Sequence, residues 1–396
     1  MPGMMQEMSV ASRILCLETK GQVTLMYSIS ESLLSVQRRL WLAVELRTDC
    51  AMTAKLKQAV SLLEFVRVEK FVRSPYSQMF GRREHDRRKI ARAYVLKSFF
   101  DVPTTKGLRE MLVSQPALRE ICGWELARDV PSEATFSRAF DEFARADLGG
   151  NAHLSLVKSH VGNSLVMHVS RDSTAVSARE RPAARKQAPQ DNPTPKYRRG
   201  RPKKGEVRPE PEPKRLDVQL GQSAVEAFAD LPRDCGRGVK KDSRGYMHTW
   251  IGYKAHIDYA DGAVPVNVQT TSACVHDSQV AVPLIKDTAS RITSAYALMD
   301  SAYDAEQIRQ ACREAGVVPI IDPNPRRAGV AEDRLLDPAA KLRYNERSTA
   351  ERGNSRLKDS LGLRHVRVRG HRKVHLHIMF AVLVLFAHQI MKPLNC

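Results

Sequence analysis

At 396 residues, 42% of them apolar, the chain is too long for one compact core and too hydrophobic for a disordered one, so two or three domains are expected. Lys and Arg total 63 against 44 Asp and Glu, and the resulting +19 charge calls for a polyanionic partner, most commonly nucleic acid. The seven cysteines are dispersed without a CxxC pair, which argues against a zinc finger or a disulfide framework.

No secretory signal is expected, because Arg13 and Glu18 interrupt the early apolar stretch Val10 to Leu17. The longest apolar run, Ile378 to Ala387, falls well short of the about 20 residues that a spanning helix needs, so it predicts a buried core helix. With no amphipathic basic helix or lipidation signal, the expectation is a soluble cytoplasmic protein without a membrane partner. Residues 1–75 form an N-terminal extension, of which 1–51 show weak periodicity. Met52 opens a better pattern, MTAKLKQAVSLLEFV, and is an alternative start.

The span 76–155 reads as a helical domain. A basic lead-in, RREHDRRK from Arg82, precedes a helix over Ile90 to Phe100. Shorter helices follow at Lys106 to Val113 and Pro116 to Cys122. Ser132 can cap a helix whose Phe136, Phe140 and Phe143 recur on one face, and Gly149-Gly150 is expected to stop the chain beyond it. Short helices with basic lead-ins suit DNA binding, and equally a plain helical domain.

The remainder, 160–392, alternates strands and helices. A strand over Leu165 to Ser170 runs into Arg171-Asp172-Ser173-Thr174. The composition then changes: 178–215 holds eight prolines and thirteen Lys/Arg against five Asp/Glu, which predicts a basic, disordered arm unable to form a core. Within it Arg198-Arg199-Gly200-Arg201-Pro202-Lys203-Lys204 resembles an AT-hook, so Arg199, Arg201 and Lys203 are candidate minor-groove or phosphate contacts. Trp250 to Asp258 and Val264 to Thr270 flank an Asp261-Gly262 turn and predict a hairpin. Trp250 and Tyr253 are expected to pack the sheet rather than stack on a base. Asp277 or Ser278 is expected to cap a helix starting near Gln279. Tyr296 to Met299 is a short strand ending at Asp300. A helix over Ala305 to Ala315 and a strand over Val317 to Ile321 complete a parallel unit. Two helices, Ala339 to Leu361 and Lys373 to Met391, finish the chain. His371, His375 and His377 lack an acid or cysteine at ligand spacing and read as a basic helix start.

The most specific pattern is Tyr344-x2-Arg347-x3-Glu351-x6-Lys358. At about 100° per residue these offsets fall near 0°, 300°, 340° and 320°, within an arc of about 60° on one helix face. This spacing resembles the YREK signature of bacterial insertion-sequence transposases of the DDE superfamily. Asp172 in RDSTAV is similar to the family's first acid. Asp300, followed by SAYD, is similar to the second, and Glu351 to the third. Two features depart from the family pattern: the basic arm separates the first two acids widely, and residues 1–51 match nothing known to the family.

The resemblance implies an α/β, ribonuclease H-like catalytic domain, a mixed sheet flanked by helices, preceded by a small helical DNA-binding domain. It implies that Asp172, Asp300 and Glu351 hold two Mg²⁺ or Mn²⁺ ions for cleavage and 3′-OH strand transfer. Tyr344, Arg347 and Lys358 would contact the element's terminal inverted repeats. The partners implied are element and target DNA and a second subunit or larger synaptic assembly, on the bacterial nucleoid. An alternative is a catalytically inactive, transposase-derived DNA-binding protein.

Overall fold

A computed structural model of the chain describes residues 51–72, 85–183, 213–241, 244–324 and 335–392. The predicted AT-hook residues Arg199, Arg201 and Lys203, most of the basic arm, and residues 1–50 and 73–75 of the N-terminal extension lie outside the described residues.

The described elements begin with helices α1 (Ala54–Val66), α2 (Arg87–Phe99), α3 (Thr105–Ser114), α4 (Pro116–Cys122), α5 (Glu133–Arg145) and α6 (Leu148–His160). There follow β1 (Leu165–Ser177), α7 (Arg215–Gly221), α8 (Ala224–Ala229), β2 (Gly236–Lys241), β3 (Met247–Ala260) and β4 (Val264–Ser272). The last are α9 (Ser278–Ala289), β5 (Thr293–Met299), α10 (Glu306–Glu314), β6 (Val318–Ile321), α11 (Pro338–Tyr344), α12 (Ser348–Ser360) and α13 (His371–Ile390).

The chain divides into two compact units, Met1–Glu64 with Glu110–Val130, and Phe65–Arg109 with Pro131–Cys396. In the first, Met52, Val60 and Ala117 form an apolar cluster with Leu56 and Ile121 packed on it. Pro116 opens α4 where its missing N–H leaves no bond unmade.

The second unit holds the whole sheet together with α2, α5 and α6. Asp86 caps α2 through Arg88 N, and Ser132 caps α5 through Thr135 N. Phe136, Phe140 and Phe143 are buried, as their spacing predicts. Tyr94 donates to the Phe136 carbonyl at 2.9 Å and stacks on Phe380 of α13, joining three helices in one core. Helix α13 is long and apolar enough to cross a bilayer, yet its residues from Leu376 to Ala387 are buried, with β4, α2, α5 and α6 packed around it. Gly149 and Gly150 do not end a helix; they lie in the first turn of α6. A Cβ on Gly149 would stand 2.5 Å from Met379 Cβ, so close approach to α13 is what requires glycine there.

The sheet runs β2-β3-β1-β5-β6, with β4 also paired to β3. Strand β3 pairs antiparallel with β1, β2 and β4, whereas β1–β5 and β5–β6 are parallel. The turn between β3 and β4 carries Gly262 at φ 73°, which suits the Asp261-Gly262 pair. The strand–helix–strand unit is β5–α10–β6, parallel as its spacing predicts.

Three expectations need correction. Strand β1 does not end at Ser170 but continues to Ser177, because Ser170 to Ser177 pair residue by residue with β3. Three elements that no sequence pattern announced, α7, α8 and β2, lie between the arm and β3. They are short, and α8 carries the recognisable capping box Ser223/Glu226. The helix expected over Ala339 to Leu361 is two α-helical pieces joined by a 3₁₀ turn at Asn345–Arg347. No Gly or Pro marks that turn in the sequence.

Candidate active site

Asp172 and Asp300 are brought level by strand register. Ser170 of β1 pairs with Leu298 of β5 in a parallel ladder, and each acid stands two residues further along its own strand. Beyond that point the two acids differ. Asp172 stays in the sheet opposite Ile257 of β3, while Asp300 leaves it and caps the 3₁₀ turn Ser301–Tyr303, accepting from Ala302 N at 2.9 Å. Glu351 lies in the first turn of α12, which packs against β1 and β3.

Arg347 joins all three. Its Nη2 lies 3.6 Å from Asp172 Oδ1 and 3.5 Å from Asp300 Oδ2, and its Nη1 donates to Glu351 Oε1 at 2.9 Å. The Arg347 side chain is 16% exposed, against 64% for Glu351, so the guanidinium is held inside while the glutamate is at the surface. Burial pushes the Asp172 carboxyl above the usual carboxylate range; Arg347 opposes this, and the neighbouring Asp300 adds to it.

The rest of the four-residue pattern gathers around the same acids. Tyr344 precedes the 3₁₀ turn and Arg347 is its last residue, and in such a turn side chains three apart eclipse. Burial raises the Tyr344 hydroxyl, and Asp300 and Glu351 are among the charges acting on it. Lys358 is half-buried; burial lowers its ammonium, Lys240 of β2 adds to this, and Asp172 opposes it.

Several further residues line the site; of these only Tyr303, in the SAYD that follows Asp300, belongs to a motif seen in the sequence. Asn354 donates to Asp172 Oδ2 at 2.9 Å, and Lys240 acts on both Asp172 and Lys358. Tyr303 is buried with Oη lacking a hydrogen-bond partner, and Asp277, Asp172 and Asp300 all act on it. Only the spacing of Asn354, three residues past Glu351, could have suggested its facing. Asp277 stands at the N-cap position of α9, but its side chain makes no capping bond. Its carboxylate takes a 3.0 Å bond from Lys254 Nζ, and the ring of His276 accepts from Ser278 N instead. Tyr253 is buried with its hydroxyl on Glu180, and Trp250 lies across Gly238, so both pack the sheet. His371, His375 and His377 bond to Thr270 O, Thr270 Oγ1 and Gly362 O respectively.

Three carboxylates are hard oxygen donors, the set that Mg²⁺ and Mn²⁺ prefer. Two of them approach the same nitrogen of Arg347 and the third its neighbour, so all three face one region. Among the described residues no three His, Cys, Asp or Glu side chains stand close enough to hold a metal ion as they are. The guanidinium lies between the acids, and drawing them onto an ion requires it to give way. The donor chemistry fits a divalent cation.

Residues 232–387 match the family described as the transposase DDE domain, and residues 45–142 match the transposase domain DUF772. Both matches are transposase domains, and together they support an insertion-sequence DDE transposase. The DDE match takes in Asp300 and Glu351, and Asp172 precedes it; the sheet register brings Asp172 level with Asp300, and the packing of α12 on β1 and β3 adds Glu351. The mixed sheet with helices about it is the ribonuclease H-like architecture of this family. Enzymes of the family act on DNA and generally use divalent metal ions. No curated protein and no solved structure matches the chain.

Proposed function

We propose that this transposase belongs to the subset with the YREK signature and is catalytically competent. In this reading it binds the terminal inverted repeats of its element, hydrolyses a phosphodiester to free a 3′-OH, and drives that 3′-OH into target DNA. The observation that carries the reading is the convergence of Asp172, Asp300 and Glu351 on one guanidinium, from two parallel strands and the helix packed on the sheet. Three carboxylates gathered round one guanidinium form an oxygen-donor set suited to a hard divalent cation.

Asp172, Asp300 and Glu351 would hold two Mg²⁺ or Mn²⁺ ions, which when bound activate the attacking oxygen and stabilise the leaving one. The surface position of Glu351 lets it swing toward the aspartates. Arg347, once released, and Lys358 offer charge-assisted bonds to the phosphates on either side of the scissile one. Tyr344 orients the strand beside them. Water attacks phosphorus first and the P–O3′ bond breaks to leave a 3′-OH. That hydroxyl then attacks a target phosphodiester, one P–O bond replacing another, so no covalent enzyme intermediate forms.

The helical domain over 76–155 would read the element's ends, with Arg199, Arg201 and Lys203 of the arm adding phosphate or minor-groove contacts. Two ends held together imply a homodimer or larger synaptic assembly on the bacterial nucleoid. The test is to incubate the full chain with Mg²⁺ or Mn²⁺ and a DNA carrying the element's own ends. Joined products support strand transfer. Nicked ends alone would reduce the protein to a nuclease, and retarded but uncut DNA would make it an inactive binder.

A further inference from the structure

The two oxygens of Asp172 have different partners. Oδ1 faces Arg347, and Oδ2 accepts from Nδ2 of Asn354 at 2.9 Å. Asn354 is 7% exposed, and its own amide oxygen accepts from Oη of the fully buried Tyr259 of β3, also at 2.9 Å. The ring of Tyr259 lies hard against α12. A Cβ on Gly353 would stand 2.4 Å from Tyr259 Cε1, so glycine at 353 is what lets the hydroxyl reach Asn354.

The last torsion of a carboxylate has only a broad, roughly two-fold preference of its own. A donor fixed on one oxygen removes that freedom. The donor is itself fixed: a reversed Asn354 amide would set its oxygen against the Asp172 carboxylate, which the negative charge forbids, while Tyr259 supplies the proton that the amide oxygen needs. We propose that Asn354, oriented by Tyr259, is a positioning residue that holds Asp172 with Oδ1 turned toward Asp300 and Glu351. This rests on Asp172 being a metal ligand. Outer partners of this kind orient ligating carboxylates and set metal affinity.

The experiment titrates the full-length chain with Mn²⁺ alone by calorimetry, with thermal melts and DNA binding measured alongside. Asn354→Leu keeps the volume and removes the donor; Tyr259→Phe removes one hydroxyl and leaves the ring in place. The expected result is a loss of about tenfold in Mn²⁺ affinity for Asn354→Leu and a smaller loss for Tyr259→Phe, with DNA affinity unchanged. Should Asn354→Leu fail to fold, Tyr259→Phe carries the test. Unchanged Mn²⁺ affinity in a folded variant, whether or not its melting temperature falls, overturns the proposal and leaves the pair a packing contact. Asp172→Ala serves as reference: if it does not weaken Mn²⁺ binding, the assignment of Asp172 as ligand fails, and the inference falls with it.

Discussion

In the free protein one guanidinium contacts three carboxylates, Arg347 lying 3.5 Å from Asp300 and 2.9 Å from Glu351. Asp172→Ala, Asp300→Ala and Glu351→Ala are each expected to abolish cleavage while leaving DNA binding in place, because in the proposed mechanism these acids hold metal rather than phosphate. Gel assays of cleavage beside filter binding check this; cleavage at the wild-type rate in any one variant removes that residue from the site. A second residue bears on stability. Burial in α2 lowers the Lys97 ammonium from 10.5 to about 8, with Asp101 opposing and Arg367 adding. Below about 8 both states are protonated and the native one carries a buried charge at a cost. From there up to 10.5 the unfolded chain binds more protons, so stability rises with pH. Lys97→Met removes that dependence. It should melt higher than the wild type at neutral pH, and the difference should shrink as pH climbs above 8. A difference that does not change with pH counts against a charged Lys97.

At the scale of the element, the 3₁₀ turn at Asn345–Arg347 decides what the helix presents. It aligns Arg347 with Tyr344, and α12 then carries Glu351 and Lys358 forward on the side of the acids. Lys358→Ala is expected to weaken binding to element ends by about 1.5–3 kcal/mol, the size of a charge-assisted bond. Its melting temperature should not fall, since burial already disfavours the ammonium in the free protein. Arg352 is the control. It is exposed, stands about 100° round the helix from Glu351, and bonds to Ser348 and Thr349 of its own helix. Equal losses from Lys358→Ala and Arg352→Ala, measured by filter binding at several salt concentrations, would reduce α12 to a general basic surface.

Over the whole molecule, the net charge of +19 is concentrated in part in the arm, where 184–212 has nine Lys/Arg against four Asp/Glu. The ends of the arm belong to the folded unit, contrary to an arm that begins at Ala178. Ala183 N donates to Cys235 O, and Glu180 accepts from Tyr253 Oη and Gly370 N. An informative deletion therefore spares 178–183 and 213–215 and replaces 184–212 with a Gly/Ser linker of equal length. The salt dependence of DNA binding should flatten, by about 0.9 in the log–log slope for each phosphate that the arm had neutralised, with the melting temperature unchanged. An unchanged slope would show that the arm does not touch DNA.

Local sequence was enough for much of this protein. Charge pointed to nucleic acid, the Phe136, Phe140 and Phe143 spacing gave the buried face of α5, and the alternation around Asp300 gave a parallel unit, because period and capping are properties of neighbouring residues. Four residues on one helical stretch were legible for the same reason. The true length of β1, the close approach of α6 to α13 at Gly149 and the role of Asp277 were not, since each depends on a partner far away in the chain. Asn354 is the clearest case. Its spacing from Glu351 hints at a shared face, but nothing in its neighbourhood names its partners. Only when α12 is laid across β1 and β3 does its amide fall between Tyr259 and Asp172, and a hydrogen bond between residues 182 positions apart is a fact of tertiary structure alone.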